Sequence, residues 1–236
     1  MDWIMYSMVL LCRGTNTSRR KQVVSYEQYE AIVSGQDTTF IPKELFDFYV
    51  ETLREKGIVK KPDEFTHLRK FIPTTGLFIL VPGTRLSLNE LMGCVDFNGK
   101  SGRCFFDEGE TGGYFSAHKR KSVTDVIETF SWHYLCCEVD DGRAMTHIYR
   151  HDAVAHFLRQ NRSGYVNKEG IFHVMYFPDV LTHHCMDLPG SRYYEECIPR
   201  LCIYGKRPLL YTSLLSGSFL KRPMAGSASC ARRIAF

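Results

Sequence analysis

Apolar residues near the start of the chain recur at the spacing of an amphipathic helix. The pattern predicts a short helix over Ser25–Ile32, which opens on a capping-box pair, and a longer helix over Pro42–Lys56. Gly57 follows the longer helix at the position where a left-handed residue often ends one. The apolar residues that share one face of this helix are Leu45, Phe48, Tyr49 and Leu53.

Further along, the pattern changes to that of β-strands. Leu77–Val81 is a continuous apolar run bounded by glycine and proline, which predicts a buried strand. Cys94–Phe97 and Arg103–Phe106 flank a five-residue connection with two glycines and predict a β-hairpin. Leu135–Val139 and Ala144–Tyr149 flank an Asp-Asp-Gly turn and predict a second hairpin.

Helices and strands are mixed in the remaining sequence. Helical spacing predicts helices that begin at Ser122 and span His151–Gln160, whereas Ile171–Phe177, Leu201–Tyr204 and Leu209–Leu215 are typical of strands. The buried stripe of the Ser122 helix is predicted to contain Val123, Val126, Ile127, Phe130 and Tyr134. Because the elements do not alternate strictly, we expect an α+β fold with a mixed, largely antiparallel sheet and three to four helices.

Charge divides the chain into two parts. All 26 acidic residues precede residue 197, so residues 1–196 have a net charge of −3 and residues 197–236 one of +7. We expect an N-terminal segment over residues 1–21, an α+β globular domain over 22–200, and a basic, partly disordered C-terminal tail over 201–236. At least the last 15 or so residues are expected to be mobile, since so few bulky apolar groups do not offset the entropy of ordering.

The basic residues from Cys197 onward are candidate contacts for an acidic partner, either nucleic acid or a protein surface. They are Arg200, Lys206, Arg207, Lys221, Arg222, Arg232 and Arg233. Tyr204, Tyr211 and Phe219 lie between them and could stack on bases. The charges come as separated pairs, so an ordinary solubilising surface that faces the slightly acidic body is the alternative.

A second basic segment could hold a phosphate group. Its glycines, Gly112 and Gly113, are followed by Lys119, Arg120 and Lys121 just before the predicted Ser122 helix, whose N-terminus would add its dipole. Neither a P-loop nor a dinucleotide-binding motif occurs in the chain. A solvated loop with a basic rim explains the same residues.

Histidines and cysteines suggest two other kinds of chemistry. A possible zinc site contains His183, His184, Cys185, Cys197 and Cys202. Their spacing matches no standard zinc finger, and buried cysteines with loop histidines are the alternative, so zinc is the one cofactor considered. Cys136 or Cys137 with His133 is the nearest pair for a thiolate nucleophile, but no family signature surrounds it.

The nine cysteines and the N-terminal apolar run bear on location. An odd number of cysteines without regular spacing favours reduced thiols, and therefore the cytoplasm or nucleus. The run Trp3–Cys12 is ten residues long, whereas a membrane-spanning helix needs about 20, so no transmembrane segment is expected.

One part of the chain resembles a known superfamily. The stretch Ile41–Glu51 (IPKELFDFYVE), the strand near Leu77, and the later VDFNGKSGRCFF together resemble the opening of SUKH domains over about 70 residues. The resemblance implies an α+β module of the kind used in immunity and host-interaction proteins. It supplies no site residues.

These observations favour a non-enzymatic interaction or regulatory protein that uses a basic surface to contact an acidic partner. The absence of a recognisable catalytic motif supports this hypothesis more than any single residue does. A zinc-stabilised binding module, a SUKH-like domain, and a cysteine-dependent or phosphate-handling enzyme are the alternatives.

Overall fold

A computed structural model describes residues 26–33, 42–105, 123–193, 197–214 and 225–235. Helices and mostly antiparallel strands are interspersed along these residues, which confirms the predicted α+β class. No helix among them is long and apolar enough to cross a membrane.

The helices differ widely in length and burial. In chain order, the α-helices are α1 (Tyr26–Val33), α2 (Pro42–Glu55), α3 (Leu88–Cys94), α4 (Arg150–Arg159), α5 (Asn167–Tyr176) and α6 (Val180–His183). Two 3₁₀ helices span Pro62–Phe71 and Arg143–Met145. The predictions of α1, α2 and α4 are thereby confirmed to within two residues at the ends described.

Most strands are short. In chain order they are β1 (Phe78–Val81), β2 (Asp96–Phe97), β3 (Lys100–Ser101), β4 (Arg103–Cys104), β5 (Thr124–Asp125), β6 (Tyr134–Cys137), β7 (Ser163–Gly164), β8 (Cys185–Asp187), β9 (Ser191–Arg192), β10 (Cys197–Tyr204), β11 (Arg207–Leu214), β12 (Ala225–Ser227), β13 (Ser229–Cys230) and β14 (Arg232–Ala235).

Two larger sheets organise the described residues. One has the order β1-β6-β14, and the other has the order β12-β8-β10-β11-β4. The pairs β13–β7, β2–β3 and β5–β9 form small two-stranded sheets. Only the β12–β8 and β11–β4 pairings among these are parallel.

Helix α5 lies at the centre of the core, where it packs against β1 and β10. Each of its residues except Lys168 is buried, so the helix has almost no exposed face. The strand predicted over Ile171–Phe177 is therefore wrong. A helix buried on all sides has no solvent-exposed polar face to mark its period, and a short stretch of it cannot be distinguished from a buried strand by periodicity.

The segment after residue 122 also differs from its prediction. Residues 124 and 125 pair with β9, and Tyr134 begins β6, so no helix runs through residues 123–134. Val126 and Phe130, two members of the predicted stripe, are exposed, so their helical spacing does not mark a buried face. Tertiary pairing with β9 overrides the local pattern here.

Both predicted hairpins are rearranged in the structure. The first is tighter than predicted, because β2 and β3 join through Asn98 and Gly99, whose φ angles are 53° and 77°. Cys94 instead ends α3, a helix that the prediction missed although Ser87 and Glu90 form a complete capping box. After β6, the Asp-Asp-Gly turn leads into a 3₁₀ helix rather than a returning strand.

The described end of the tail is built into the fold. β14 pairs with β6, and β12 pairs with β8, so residues 225–235 contradict the expected mobility. Small residues make this possible, since a Cβ on Gly226 would lie 1.7 Å from the Gly142 carbonyl oxygen. The tail was expected to begin at residue 201, which lies within β10.

Candidate functional site

The turn between β10 and β11 presents an aromatic ring beside two cationic side chains. Tyr204 and Arg207 are direct partners in the strand register, and Gly205 and Lys206 form the turn between them with φ angles of 59° and 64°. Tyr204 is 74% exposed, and Lys206 is exposed as well. We refer to Tyr204, Lys206 and Arg207 as the hairpin tip.

Neighbouring strands add further exposed groups near the hairpin tip. β4 pairs with β11 in a register that places Arg103 beside Leu209, and β3, which carries Lys100, packs against the same strand. Arg103 and Lys100 are exposed, and Phe105, just after β4, is 58% exposed. Cations interspersed with accessible aromatic rings suit a phosphate backbone with unstacked bases.

Arg200 does not contribute to this surface. Arg200 is 1% exposed. Its guanidinium donates through Nε to Oδ1 of Asp187 at 2.6 Å and through Nη2 to Oδ2 of Asp187 at 3.0 Å. This two-point ion pair joins β10 to β8 inside the protein. Its charge is therefore neutralised within the fold.

Arg233 is also neutralised internally. Its side chain is 8% exposed and donates to both carboxylate oxygens of Glu169 and to the Gly164 carbonyl. Burial alone would lower the pKa of Arg233, but the hydrogen bonds and charge of Glu169 raise it overall. Arg232 is exposed and lies 3.6 Å from a Glu138 oxygen.

Seven residues of the predicted sites lie outside the described residues. They are Gly112, Gly113, Lys119, Arg120 and Lys121 of the phosphate loop and Lys221 and Arg222 of the basic tail. The phosphate-loop hypothesis and this part of the basic surface stay predictions.

The five zinc candidates are not brought together as a metal site. His183 is exposed and stacks on Tyr26, whereas His184 is buried and donates from Nε2 to the Asp141 carbonyl at 2.9 Å. Within the described part of the chain, which includes all five, no group of three or more His, Cys, Asp or Glu side chains could hold a metal ion.

The thiols considered as nucleophiles lie in the core. Burial raises the pKa of Cys136 well above its usual value, and burial raises that of Cys137 to about 11. Cys136 donates to Glu169 at 3.1 Å, and the nearby His133 accepts the Gly83 amide proton at its Nδ1. Protonated, buried thiols are the opposite of what nucleophilic catalysis requires.

A buried polar network, absent from the sequence predictions, links α1, the turn after β6, and α5. The Tyr29 hydroxyl donates to Asp141 at 2.9 Å and lies 2.7 Å from Nε2 of His173. The Tyr165 hydroxyl lies 3.4 Å from Nδ1 of the same histidine. One arrangement of protons satisfies all three contacts: His173 is neutral, donates through Nε2 to Tyr29, and accepts at Nδ1 from Tyr165.

Electrostatics in this network agree with that arrangement. Burial lowers the pKa of His173 to about 4, so the imidazole is neutral at pH 7. Burial would raise the pKa of Asp141, but the nearby His184 and Arg143 lower it overall. Arg143 reaches the protein surface and donates to both Asp141 and Glu30. The network satisfies its own polar groups and thereby holds three elements together.

Glu169 is the centre of a second buried network. It accepts from the Tyr134 hydroxyl at 3.0 Å, the Cys136 thiol, and the Val166 amide, in addition to Arg233. Glu169 follows an asparagine and a lysine, so no local apolar pattern marked it as a buried acid. A buried acid needs charged or hydrogen-bonding partners, and three of these partners, Tyr134, Cys136 and Arg233, come from distant strands, so the sequence did not identify them.

Together these features define an α+β protein with two buried polar networks and an exposed, basic and aromatic hairpin tip. Residues 39–207 match DUF5701, a family of unknown function, and the chain belongs to this family. The match runs from just before α2 to Arg207 at the hairpin tip. No curated protein and no solved structure matches the chain. The resemblance to SUKH domains stays a prediction.

Proposed function

We propose that this protein is a non-enzymatic interaction or regulatory protein that contacts an acidic partner through the hairpin tip. The partner is nucleic acid or an acidic protein surface. The observation that carries the proposal is the 74% exposure of Tyr204 directly opposite Arg207 and beside Lys206. This combination supplies both a stacking surface and positive charge.

The conformation of Lys206 supports the proposal. Its φ of 64° is in the left-handed region, where glycine and asparagine are favoured and other residues cost about 1 kcal/mol. Backbone strain of this kind clusters at functional sites, which favours a binding role for Lys206. The proposal places the protein in the cytoplasm or nucleus, in keeping with its cysteine content.

Binding of the full chain to a labelled single-stranded oligonucleotide, measured by anisotropy across a salt series, tests the proposal. The double variant Lys206→Glu/Arg207→Glu should weaken binding and reduce the salt slope by about 1.4, because each lost phosphate contact with a single strand changes that slope by about 0.7. Tyr204→Ala should cost about 1–3 kcal/mol of binding free energy through lost stacking.

The matched control is Lys56→Glu/Lys60→Glu, which makes the same charge change at exposed residues near the end of α2. Equal losses in the tip and control variants would show a general charge effect and contradict the assignment of the hairpin tip. Binding to an acidic polypeptide but not to the oligonucleotide would identify the protein form of the proposal. Failure to bind either polymer at low salt would refute it.

A further inference from the structure

Two cysteines lie one position beyond the paired residues of strands β8 and β10. The antiparallel register pairs Arg200 with Asp187 and Leu201 with Met186, and its continuation by one position brings Cys202 opposite Cys185. Side chains of directly opposite residues point to the same face of the sheet, with Cβ atoms about 4.5–5.5 Å apart. The structure has both residues as thiols rather than as a disulfide.

A tyrosine on the neighbouring strand supports the same location for the two thiols. Tyr211 lies opposite Arg200 in the β10–β11 register, and therefore on the face of β10 that carries Cys202. Burial, followed by the charges of Cys202 and Cys185, raises the pKa of Tyr211. Side chains from β8, β10 and β11 therefore converge on one face of the five-stranded sheet.

Accessibility distinguishes this pair from another pair of cysteines in the core. Cys202 is 7% exposed, while Cys185 is only partly buried, so a small solute can reach Cys185. Cys136 and Cys230 are also in hydrogen-bond contact, but both are 0% exposed. Oxidants in solution should therefore act on Cys185 first.

We propose that Cys185 and Cys202 are a site of reversible disulfide formation, with a peroxide as oxidant. The Cys185 thiol loses its proton, and the thiolate attacks one peroxide oxygen to form a sulfenic acid. The other oxygen leaves as hydroxide and takes up that proton to become water. The Cys202 sulfur then displaces the sulfenic hydroxyl, which leaves as a second water with the Cys202 proton. The two thiols lose two electrons in total, and these reduce the O–O bond.

The geometry requires only a small movement. A disulfide needs Cβ atoms about 3.5–4.5 Å apart, so the facing strands must approach by about 1 Å. Cys185 is the first residue of the three-residue β8 and lies two positions after the end of α6. The bond would fix β8 to β10 two residues before the hairpin tip, and its formation does not depend on the proposed binding function.

The test is treatment of the folded full chain with hydrogen peroxide, followed by intact-mass measurement and peptide mapping without reduction. The expected product loses the mass of two hydrogen atoms, contains a Cys185–Cys202 cross-link, and reverts with dithiothreitol. Cys185→Ser and Cys202→Ser should each abolish the cross-link. Cys197→Ser, on β10 but on the opposite face by strand alternation, should leave it unchanged.

Three results would overturn the proposal. The first is a folded protein that forms no intramolecular disulfide at peroxide concentrations that oxidise a small dithiol. The second is a cross-link that maps to Cys136 and Cys230 instead. The third is a cross-link that persists in Cys185→Ser. Circular dichroism establishes that each variant is folded. If a serine variant fails to fold, the cross-link mapped in the wild-type chain decides the outcome.

Discussion

Arg200 and Arg233 show that a cation in a strongly basic segment can be neutralised within the fold. Both belong to the 40-residue segment that contains seven basic and no acidic residues. In the structure they pair with Asp187 and Glu169, which are buried acids of the preceding part of the chain. The separation of charge along the sequence therefore partly reflects ion pairs between the tail and the body.

Replacement of Arg200 should destabilise the fold far more than replacement of Arg207. Arg200→Met leaves the Asp187 carboxylate buried without its cation, and removal of one partner from a buried pair costs about 3–5 kcal/mol. Arg207→Met removes a cation at the more exposed tip and should change the free energy of unfolding by less than about 0.5 kcal/mol. Urea unfolding at pH 7 measures both.

The comparison uses one substitution at two positions of the same hairpin. Equal destabilisation by the two variants would contradict the structural role assigned to Arg200. A loss with Arg200→Met that disappears in an Arg200→Met/Asp187→Leu double variant would identify the uncompensated carboxylate as the cause.

Among the secondary-structure elements, α2 and α5 show when periodicity suffices. α2 buries Leu45, Tyr49 and Leu53 on one face and exposes its other face, so its pattern predicted it correctly. α5 is buried around most of its circumference and resembled a strand. Periodicity reveals an element through the difference between its buried, apolar face and its exposed, polar face. A fully buried element has no exposed face, so this difference is small.

Close backbone packing joins β12 to the turn after β6. The Cβ of an alanine at position 226 would meet the backbone carbonyl oxygen of Gly142 at 1.7 Å, and both residues are buried. Gly226→Ala should therefore destabilise the protein by about 1–3 kcal/mol or more, since β12 and the turn must move apart. Thermal unfolding followed by circular dichroism measures the effect.

The control for this variant is Gly93→Ala. Gly93 lies in α3 with no atom within 4 Å of its added Cβ, so alanine should stabilise the helix by up to about 1 kcal/mol. If Gly226→Ala left the midpoint temperature of thermal unfolding unchanged, β12 would not pack closely against the turn that contains Gly142.

For the molecule as a whole, the final strands complete both larger sheets. β14 covers one edge of β6, while β12 covers one edge of β8. Ala228, Ser229 and Cys230 between them are buried, and residue 140 pairs with Ser229. The end of the chain is thus a component of the core rather than an appendage to it.

A chain that ends at Met224 should fail to unfold cooperatively. The shortened chain lacks β14, and it lacks Arg233, which pairs with Glu169. The uncompensated buried carboxylate of Glu169 alone costs about 3–5 kcal/mol of unfolding free energy. That amount is comparable with the total stability of many domains, which is about 5–15 kcal/mol. Calorimetry of the shortened and full chains makes the comparison.

Arg233→Met in the full chain separates the two causes, because it removes the ion pair and retains β14. We expect this variant to unfold cooperatively, with a thermal midpoint below that of the full chain. A shortened chain that unfolds with the midpoint and cooperativity of the full chain would show that residues 225–235 are dispensable for the fold.

Local pattern by itself determined the class of this fold and its amphipathic helices. α1, α2 and α4, the apolar strand β1, and the cores of β10 and β11 follow from the spacing of apolar residues, caps and turn glycines. These features depend on residues within a few positions of each other, so the sequence displays them directly.

Pairing between distant segments was decided by the tertiary structure. Asp141 meets Tyr29 across 112 residues, and Arg233 meets Glu169 across 64. The same long-range pairing places β14 beside β6 and β10 beside β8. No local pattern encodes such contacts, because they depend on which strands become neighbours once the apolar core has formed.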